Sequence, residues 1–475
     1  MLKKLSITSF AFLLTVIVLQ AQETWSLQQA IQYAQENNLS VKRAQATISS
    51  NELTLKGSQA NRIPTLNGSV NYGYNFGRSI DPTTNSFNSQ STGFNSLSLS
   101  TNVTVFAGGQ INNGIKQSKY LLEAARLDAS STSNNLALDV ATAYLNILLG
   151  EEQLSNARQQ LVLSQAQLDQ IDKLIRAGSR PENERFDLLA QIARNEQSVI
   201  EAENTISIGY LNLKQLMNVD QNVDVRIQRP ELTVSANVNP DDFLLNEVFT
   251  TALGMQPEIR ANDLRMQGAQ AGVDVAKGAL LPTVSLYGNL DSRYSTQGVR
   301  KTGTQTVRVP QQVFIDGMPV TIYTDQVVPT FGDNPYFNQL NENFGQSFGV
   351  NLNIPILNNF RSRIGVQRAK LDVLTTGISN DLARQQLKTN IQQAIANARA
   401  GKRSYDAALR SVEANRIAFD NAQRRFDLGA INSLEYTTAR NNLDLAQISL
   451  IQAKFQYIFN VKQVEFYQGK PIQLN

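Results

Sequence analysis

Two short segments, RAGSRPENE at residues 176–184 and DLGAINSLE at residues 427–435, mark the turns around which the chain is organised. Proline, the residue that most strongly ends a helix, is absent from 83–180 and again from 356–470. Each stretch is therefore predicted to form a long helix, a tight glycine turn and a shorter returning helix. A helix from residue 110 to the first turn would be on the order of 100 Å long, which indicates an elongated molecule.

The composition excludes several classes of function. The 475 residues include no histidine and no cysteine, so Ser-His-Asp and Cys-His catalysis, disulfides, and thiolate or histidine metal sites are ruled out. The formal net charge of +3 gives no case for binding nucleic acid. We therefore expect no catalytic residue, no metal, no cofactor and no nucleic-acid partner.

The N-terminus is predicted to be a secretory signal peptide spanning residues 1–21. Lys3 and Lys4 precede a short apolar run, and Ala21 is a small residue at a plausible cleavage site. A retained membrane anchor is disfavoured because the apolar run is too short. No cysteine follows the cleavage site, which excludes a lipid anchor there.

Four segments alternate between apolar or aromatic residues and Asn, Ser or Gly, as β-strands do. They are residues 65–76, 94–106, 283–294 and 344–356. Their lengths suit a tilted strand that crosses a bilayer, although a half-buried sheet in a soluble protein alternates in the same way. In a secreted chain with long helices we favour a transmembrane barrel. Four strands cannot close one, so we expect an oligomer.

The elements occur twice in the same order, which predicts an internal two-fold repeat. Gly178 maps onto Gly429 with a shift of 251 and Pro64 onto Pro282 with a shift of 218, and the difference of 33 falls in one strand-to-strand loop. The predicted organisation is a signal peptide at 1–21, a first structural repeat at 22–217, a connector at 218–240, a second structural repeat at 241–468 and a tail at 469–475.

The two strand-to-strand loops, 78–93 and 295–342, are polar and differ in length. Insertions collect at exposed tips, so both loops are expected in solvent. Within the longer loop, Asp316-Gly317 lies between two apolar alternating runs, which predicts a two-residue β-hairpin turn.

Together these features resemble the TolC-like outer-membrane efflux proteins over essentially all of the mature sequence. The resemblance implies an α+β membrane protein: a trimeric transmembrane β-barrel, with four strands per chain, continued by a long α-helical periplasmic barrel. It implies that a homotrimer sits in outer-membrane lipid and meets a periplasmic adaptor, or membrane fusion, protein, which joins it indirectly to an inner-membrane pump. The expected function is the passive exit duct of a tripartite efflux or type I secretion system.

The two turns carry the resemblance in detail, because each has a glycine followed six residues later by an acid. The adaptor-docking turns implied by the resemblance are Gly178, Ser179, Arg180, Gly429, Ala430 and Ile431, and the periplasmic entrance residues are Glu184 and Glu435. Thr438 stands where the best-known members carry a second acid, so a double acidic ring is not expected. A glutamate in the first turn of a helix is also favoured simply by the helix dipole.

Two other classes of protein are weighed against the duct. A periplasmic or surface coiled-coil scaffold would have the same heptad-like apolar spacing, and it would be extracted without detergent. An enzyme would have to rely on paired carboxylates such as Glu184 and Glu435, which is the least favoured interpretation.

Overall fold

The computed structural model describes residues 24–80, 87–88, 91–230 and 238–472. The expected signal peptide at 1–21 lies outside them, as do parts of the expected connector at 218–240 and tail at 469–475. The helices are α1 (Leu27–Asn37), α2 (Leu39–Ala60), α3 (Gln110–Arg176), α4 (Asn183–Met217), α5 (Leu245–Met255), α6 (Pro257–Gly278), α7 (Tyr336–Glu342), α8 (Arg361–Asp427) and α9 (Ser433–Tyr467).

The helices form pairs of equal length. The long helices α3 and α8 have 67 residues each, and the returning helices α4 and α9 have 35 each. Helices α2 and α6 have 22 residues each, and α1 and α5 have 11 each. Within the described residues, no helix combines the length and the apolar character needed to cross a membrane.

The longer strands come from two parts of the chain, residues 65–107 and 283–353, and each of the other strands has two residues. They are β1 (Thr24–Trp25), β2 (Thr65–Asn75), β3 (Ser79–Ile80), β4 (Phe87–Asn88), β5 (Thr92–Ala107), β6 (Arg226–Ile227), β7 (Thr283–Ser295), β8 (Val299–Ile315), β9 (Met318–Asp333) and β10 (Gly345–Asn353). Strands β2, β5, β7 and β10 occupy the four segments for which the alternation predicts strands.

The chain divides into two compact units, and each unit draws on both predicted repeats. The first unit comprises the described residues of Met1–Asn51, Leu121–Met266 and Thr376–Asn475. Its largest core cluster lies around the fully buried Tyr144, whose hydroxyl contacts the carbonyl oxygens of Trp25 and Gln228. Those two carbonyls flank the parallel β1–β6 pair, so Tyr144 fastens this small sheet to α3.

The second unit, Glu52–Tyr120 and Gln267–Thr375, contains a four-stranded antiparallel sheet in the order β10-β7-β5-β2. The pairing of β5 with β7 joins the two predicted repeats. Serines and asparagines line one face, where the hydroxyls of Ser69 and Ser98 lie 2.7 Å apart. Large apolar side chains on the alternate positions are open, and Phe348 is 92% exposed. Strands β2 and β10 are the edges of this sheet, each with one partner strand among the described residues.

Strands β8 and β9 form a long hairpin within the second unit. The predicted turn at Asp316-Gly317 is confirmed: both residues have positive φ, +54° and +79°, as a type I′ turn requires. The pairing extends well beyond the apolar runs next to the turn, from Ile315↔Met318 to Val299↔Asp333. Helix α7 follows and packs on β7.

Candidate functional site

The turns that end α3 and α8 have the same backbone geometry. Gly178 has φ +73° and Gly429 has φ +74°. In the first turn, the Gly178 N–H donates to the Ile175 carbonyl at 2.9 Å and the Ser179 N–H donates to the Leu174 carbonyl at 2.9 Å. This pair of bonds is a Schellman motif, which satisfies the last carbonyls of a helix through a left-handed residue.

The second turn repeats this pattern at the end of α8. The Gly429 N–H donates to the Phe426 carbonyl at 2.9 Å, and the Ala430 N–H donates to the Arg425 carbonyl at 2.8 Å. A Cβ added at either glycine would meet nothing within 4 Å. Glycine is therefore needed for its backbone conformation, because a left-handed residue with a Cβ is strained.

The returning helices begin in different ways. In the second turn, the Asn432 side chain caps α9 by accepting a hydrogen bond from the Glu435 N–H at 2.9 Å. Helix α4 begins two residues after Pro181, and its N-cap residue, Glu182, makes no side-chain cap bond. Glu184 and Glu435 both lie in the first turn of their helices, where the helix dipole favours a carboxylate.

The two predicted entrance residues lie in unlike surroundings. Glu435 is exposed. Glu184 is only 7% exposed, and its Oε1 accepts from the Arg180 Nη1 at 3.4 Å. Its Oε2 is buried and has no hydrogen-bond partner. Within a single chain, the Glu184 carboxylate therefore faces protein, and only Glu435 is open to solvent.

Arg180, a predicted docking residue, joins the first turn to the end of α8. Its Nη2 donates to the Phe426 carbonyl at 2.6 Å, and its guanidinium carbon lies 4.4 Å from the centre of the Phe426 ring. A cation at the C-terminus of a helix is favoured by the dipole, and the ring face adds a cation–π attraction. The sequence alone did not reveal this contact, because the two residues are 246 positions apart.

Ile431, another predicted docking residue, belongs to the core. It is buried with Ile171, Leu188, Phe426 and Tyr436 in a cluster beneath both turns. Tyr436 stacks on Phe426, with ring centres 4.8 Å apart, and its hydroxyl donates to Gln167 at 3.1 Å. Burial raises the pKa of the Tyr436 hydroxyl, so it stays neutral. This cluster holds the two turns in a fixed mutual position.

The surface of the turns is formed by other residues. Gly178, Ser179, Gly429 and Ala430 are exposed, as sequence reasoning expects of docking residues. Leu428, which the sequence reasoning missed, is 83% exposed beside Gly429. The sequence contained a signal for this exposure. A leucine directly before the glycine that ends a helix has no further helical turn to pack against.

A buried polar group lies further along α9. Arg440 donates to the Gln160 side chain at 2.8 Å and lies 3.8 Å from the Asp444 carboxylate. Burial raises the pKa of Asp444 to about 6, against the opposing attraction of the Arg440 charge. Asp444 and Gln160 also line a cavity of about 500 Å³ between α3, α4 and α9, together with polar residues such as Asn195. Within the described chain, no group of acidic residues could hold a metal ion.

Comparison with known proteins places this geometry in a family. The sequence matches the family described as outer membrane efflux protein over residues 30–219 and 248–470. The chain belongs to this outer membrane efflux protein family. It is similar to the outer membrane efflux protein BepC of Brucella suis biovar 1 (strain 1330), with 21% identity over 94% of this chain and 85% of that protein.

Solved structures share the fold. The outer membrane protein VceC of Vibrio cholerae matches with a TM-score of 0.74 and 13% identity over 94% of this chain and 97% of that one. The CmeC outer membrane channel of Campylobacter jejuni matches with a TM-score of 0.73 and 16% identity over 94% of this chain and 86% of that one.

The protein is therefore an outer-membrane efflux channel, located in the outer membrane and extending into the periplasm. The predicted family, function and location are confirmed. The relatives are channel proteins, and none of the similarities favours the scaffold interpretation.

Proposed function

We propose that three copies of the chain form a passive exit duct. Each copy contributes β2, β5, β7 and β10 to a twelve-stranded barrel, and its long helices contribute to a periplasmic tunnel. The observation that carries the proposal is the four-stranded sheet, whose edge strands β2 and β10 each have one partner among the described residues. An unpaired backbone group in lipid costs several kcal/mol, so each edge pairs with the opposite edge of a neighbouring copy.

We further propose that each chain is a duplicated unit. Four pairs of helices with equal lengths follow one another in the same order. Duplication gives a trimer six similar helical hairpins and six similar turns, although the trimer contains only three copies of any one residue. This explains why both turns carry a left-handed glycine with the same two backbone hydrogen bonds.

The exposed turns dock a periplasmic adaptor protein, which links the duct indirectly to an inner-membrane pump. Gly178, Ser179, Gly429 and Ala430 offer surface, and Leu428 adds an apolar side chain that an adaptor can cover. Arg180 and Ile431 support the turns without forming the docking surface, because their contacts with Phe426 and its neighbours fix the positions of the turns.

The periplasmic entrance is lined by Glu435. Three copies of this exposed carboxylate around a three-fold axis create a negative ring, which attracts cations at short range. Glu184 lies behind this surface with Arg180, so its charge is partly neutralised within the chain. A trimer contains six glutamates at these two positions, and only the three copies of Glu435 line the entrance.

Single-channel currents across a planar bilayer test this proposal. The purified protein should give discrete current steps without any energy source, with a preference for cations. Glu435→Gln should reduce that preference and weaken block by divalent ions applied from the periplasmic side. Glu184→Gln is the matched control and should leave selectivity nearly unchanged. Equal effects of the two substitutions, or none from either, would contradict the assignment of Glu435 to the entrance.

A further inference from the structure

The hairpin of β8 and β9 has one strongly apolar face in its outer half. Directly paired residues of antiparallel strands point to the same side, and here Val313 pairs with Val320 and Ile315 with Met318. The apolar hairpin face consists of Val309, Val313, Ile315, Met318, Val320 and Ile322, and its two polar positions are Gln311 and Thr324. Met318 is 70% exposed and Ile315 is 55% exposed. Among the described elements, β8 and β9 pack mainly on each other.

The opposite face of the hairpin is more polar. Arg308 and Asp325 pair across the strands at 3.2 Å, and Gln312 pairs with Thr321. Phe314 and Tyr323 are exposed there, and their cross-strand partners are Pro319 and Pro310. The two faces therefore differ: one carries aliphatic side chains, and the other mixes aromatic rings and prolines with polar residues.

The base of the hairpin is held firmly to the sheet. Gln339 of α7 is fully buried and accepts a hydrogen bond from the Ser295 N–H at 2.9 Å. Its amide donates to the carbonyls of Ser295, at 2.9 Å, and Asn334, at 2.8 Å. The Asn334 N–H donates to the Gly298 carbonyl at 3.1 Å, which ties together the two strand ends. The hairpin thus leaves the sheet in a defined direction.

The outer half of the hairpin has little protection against association. Between Val309 and Tyr323 the only charged residue is Asp316, at the turn. A two-stranded ribbon is marginally stable alone in water, and long apolar edge strands without charges associate with other strands. A fixed base and an uncovered apolar face fit an element built to be covered by a partner.

We infer that the apolar hairpin face packs against the same face of the hairpins of neighbouring copies, outside the membrane. This inference rests on the proposed trimer. The hairpin lies in the chain between β7 and the edge strand β10, so its base stands beside the edge that pairs with the next copy. An almost uncharged aliphatic face is complementary to itself, and a three-fold axis brings three such faces together. The three hairpins would then stand as one bundle at the outer mouth of the duct.

Single cysteines test this contact, because the chain contains no cysteine of its own. Val320→Cys places a thiol on the apolar hairpin face, and Thr321→Cys places one on the opposite face of the same strand. Disulfides form when Cα atoms come within about 7 Å. Oxidation, and a short bismaleimide in parallel, should give several-fold more covalent dimer of the chain with Val320→Cys than with Thr321→Cys. Met318→Cys, on the same face, is a second reporter.

The mass of each detergent-solubilised variant distinguishes failure of the hairpin contact from failure of the proposed trimer. An intact trimer in which neither Val320→Cys nor Met318→Cys cross-links above the Thr321→Cys control would overturn the hairpin contact alone. A monomeric protein would overturn the trimer and the hairpin contact together. Cross-linking in the outer membrane to a species whose mass is not a multiple of the chain would also overturn it, in favour of another protein as the partner.

Discussion

At the scale of single residues, backbone conformation requires glycine in the two turns. Two alanine variants distinguish this requirement from a lack of space for a side chain. Neither Gly429 nor Gly365, in the second turn of α8, would bring an added Cβ within 4 Å of another atom. Gly429→Ala should lower local stability by about 1 kcal/mol, because alanine is strained at positive φ. Gly365→Ala should raise it by roughly 0.5–1 kcal/mol, because alanine favours a helix.

Hydrogen exchange of the backbone amides around each position measures these changes. Opposite signs for the two substitutions are expected. If both variants stabilise the protein, the left-handed conformation at Gly429 is not what requires glycine there.

Arg180 is expected to stabilise the pair of turns through two interactions. Arg180→Met removes the hydrogen bond to the Phe426 carbonyl and leaves the buried Glu184 carboxylate without its cation. Removing one partner of a buried ion pair costs about 3 kcal/mol. The double variant Arg180→Met/Glu184→Gln should recover part of that loss, since no buried charge remains.

Hydrogen exchange at the end of α8 and the start of α9 provides the measurement. A double variant as unstable as Arg180→Met alone would show that Glu184 takes no part. If Arg180→Met left the local stability unchanged, the contact with Phe426 would contribute nothing measurable to the stability of the turns.

Asp444 makes stability depend on pH in a defined direction. Burial raises the pKa of Asp444 to about 6 in the folded protein, above the ordinary value of 3.8. The folded state therefore holds this proton more tightly than the unfolded state, and the associated stability is lost as the pH rises from about 4 through 6. Asp444→Asn should remove this contribution.

Thermal unfolding of the wild type and Asp444→Asn between pH 4 and 7 measures the effect. The difference between their stabilities should shift in favour of the variant as the pH rises through that window. Parallel curves for the two proteins would mean that the Asp444 carboxyl is not held protonated by its burial.

At the scale of elements, sequence pattern located the helices and strands closely, and burial poorly. The absence of proline, together with the glycine turn at Gly178, predicted the long helix from residue 110 to 176, where α3 lies. Alternation predicted strands where β2, β5, β7 and β10 lie. Local patterns suffice there because helix breaks and strand alternation both depend on residues that are close together in the sequence.

The surroundings of the site residues could not be predicted in the same way. A glutamate in the first turn of a helix is usually exposed, yet Glu184 is covered because Arg180 reaches Phe426 from a distant part of the chain. Ile431 lies in a turn, where no periodicity indicates which side is buried. The hairpin was predicted only at its turn, since the threonines and glutamines of its shaft weaken the alternation.

The loop elements also fix the expected orientation of the chain in the membrane. An epitope inserted at the exposed Asp316-Gly317 turn should be labelled by antibody on intact cells. The same epitope at Ser179 should be labelled only after the outer membrane is permeabilised. Labelling of the Ser179 insertion on intact cells would reverse the proposed orientation.

At the scale of the whole molecule, the proposed assembly rests on the edges of one sheet. Each chain supplies four strands and leaves β2 and β10 as edges among the described residues. A barrel in lipid has no free edge, and in the proposed trimer three copies would close one with twelve strands. The proposed duct, the docking turns and the hairpin bundle all depend on this closure.

The mass of the detergent-solubilised protein, corrected for bound detergent, tests that closure most directly. Light scattering or native mass spectrometry of protein extracted from the outer membrane should give three copies of the chain. The complex should persist on dilution, because separating the copies exposes β2 and β10. A stable monomer with intact secondary structure, or a soluble monomer in plain buffer, would contradict the account.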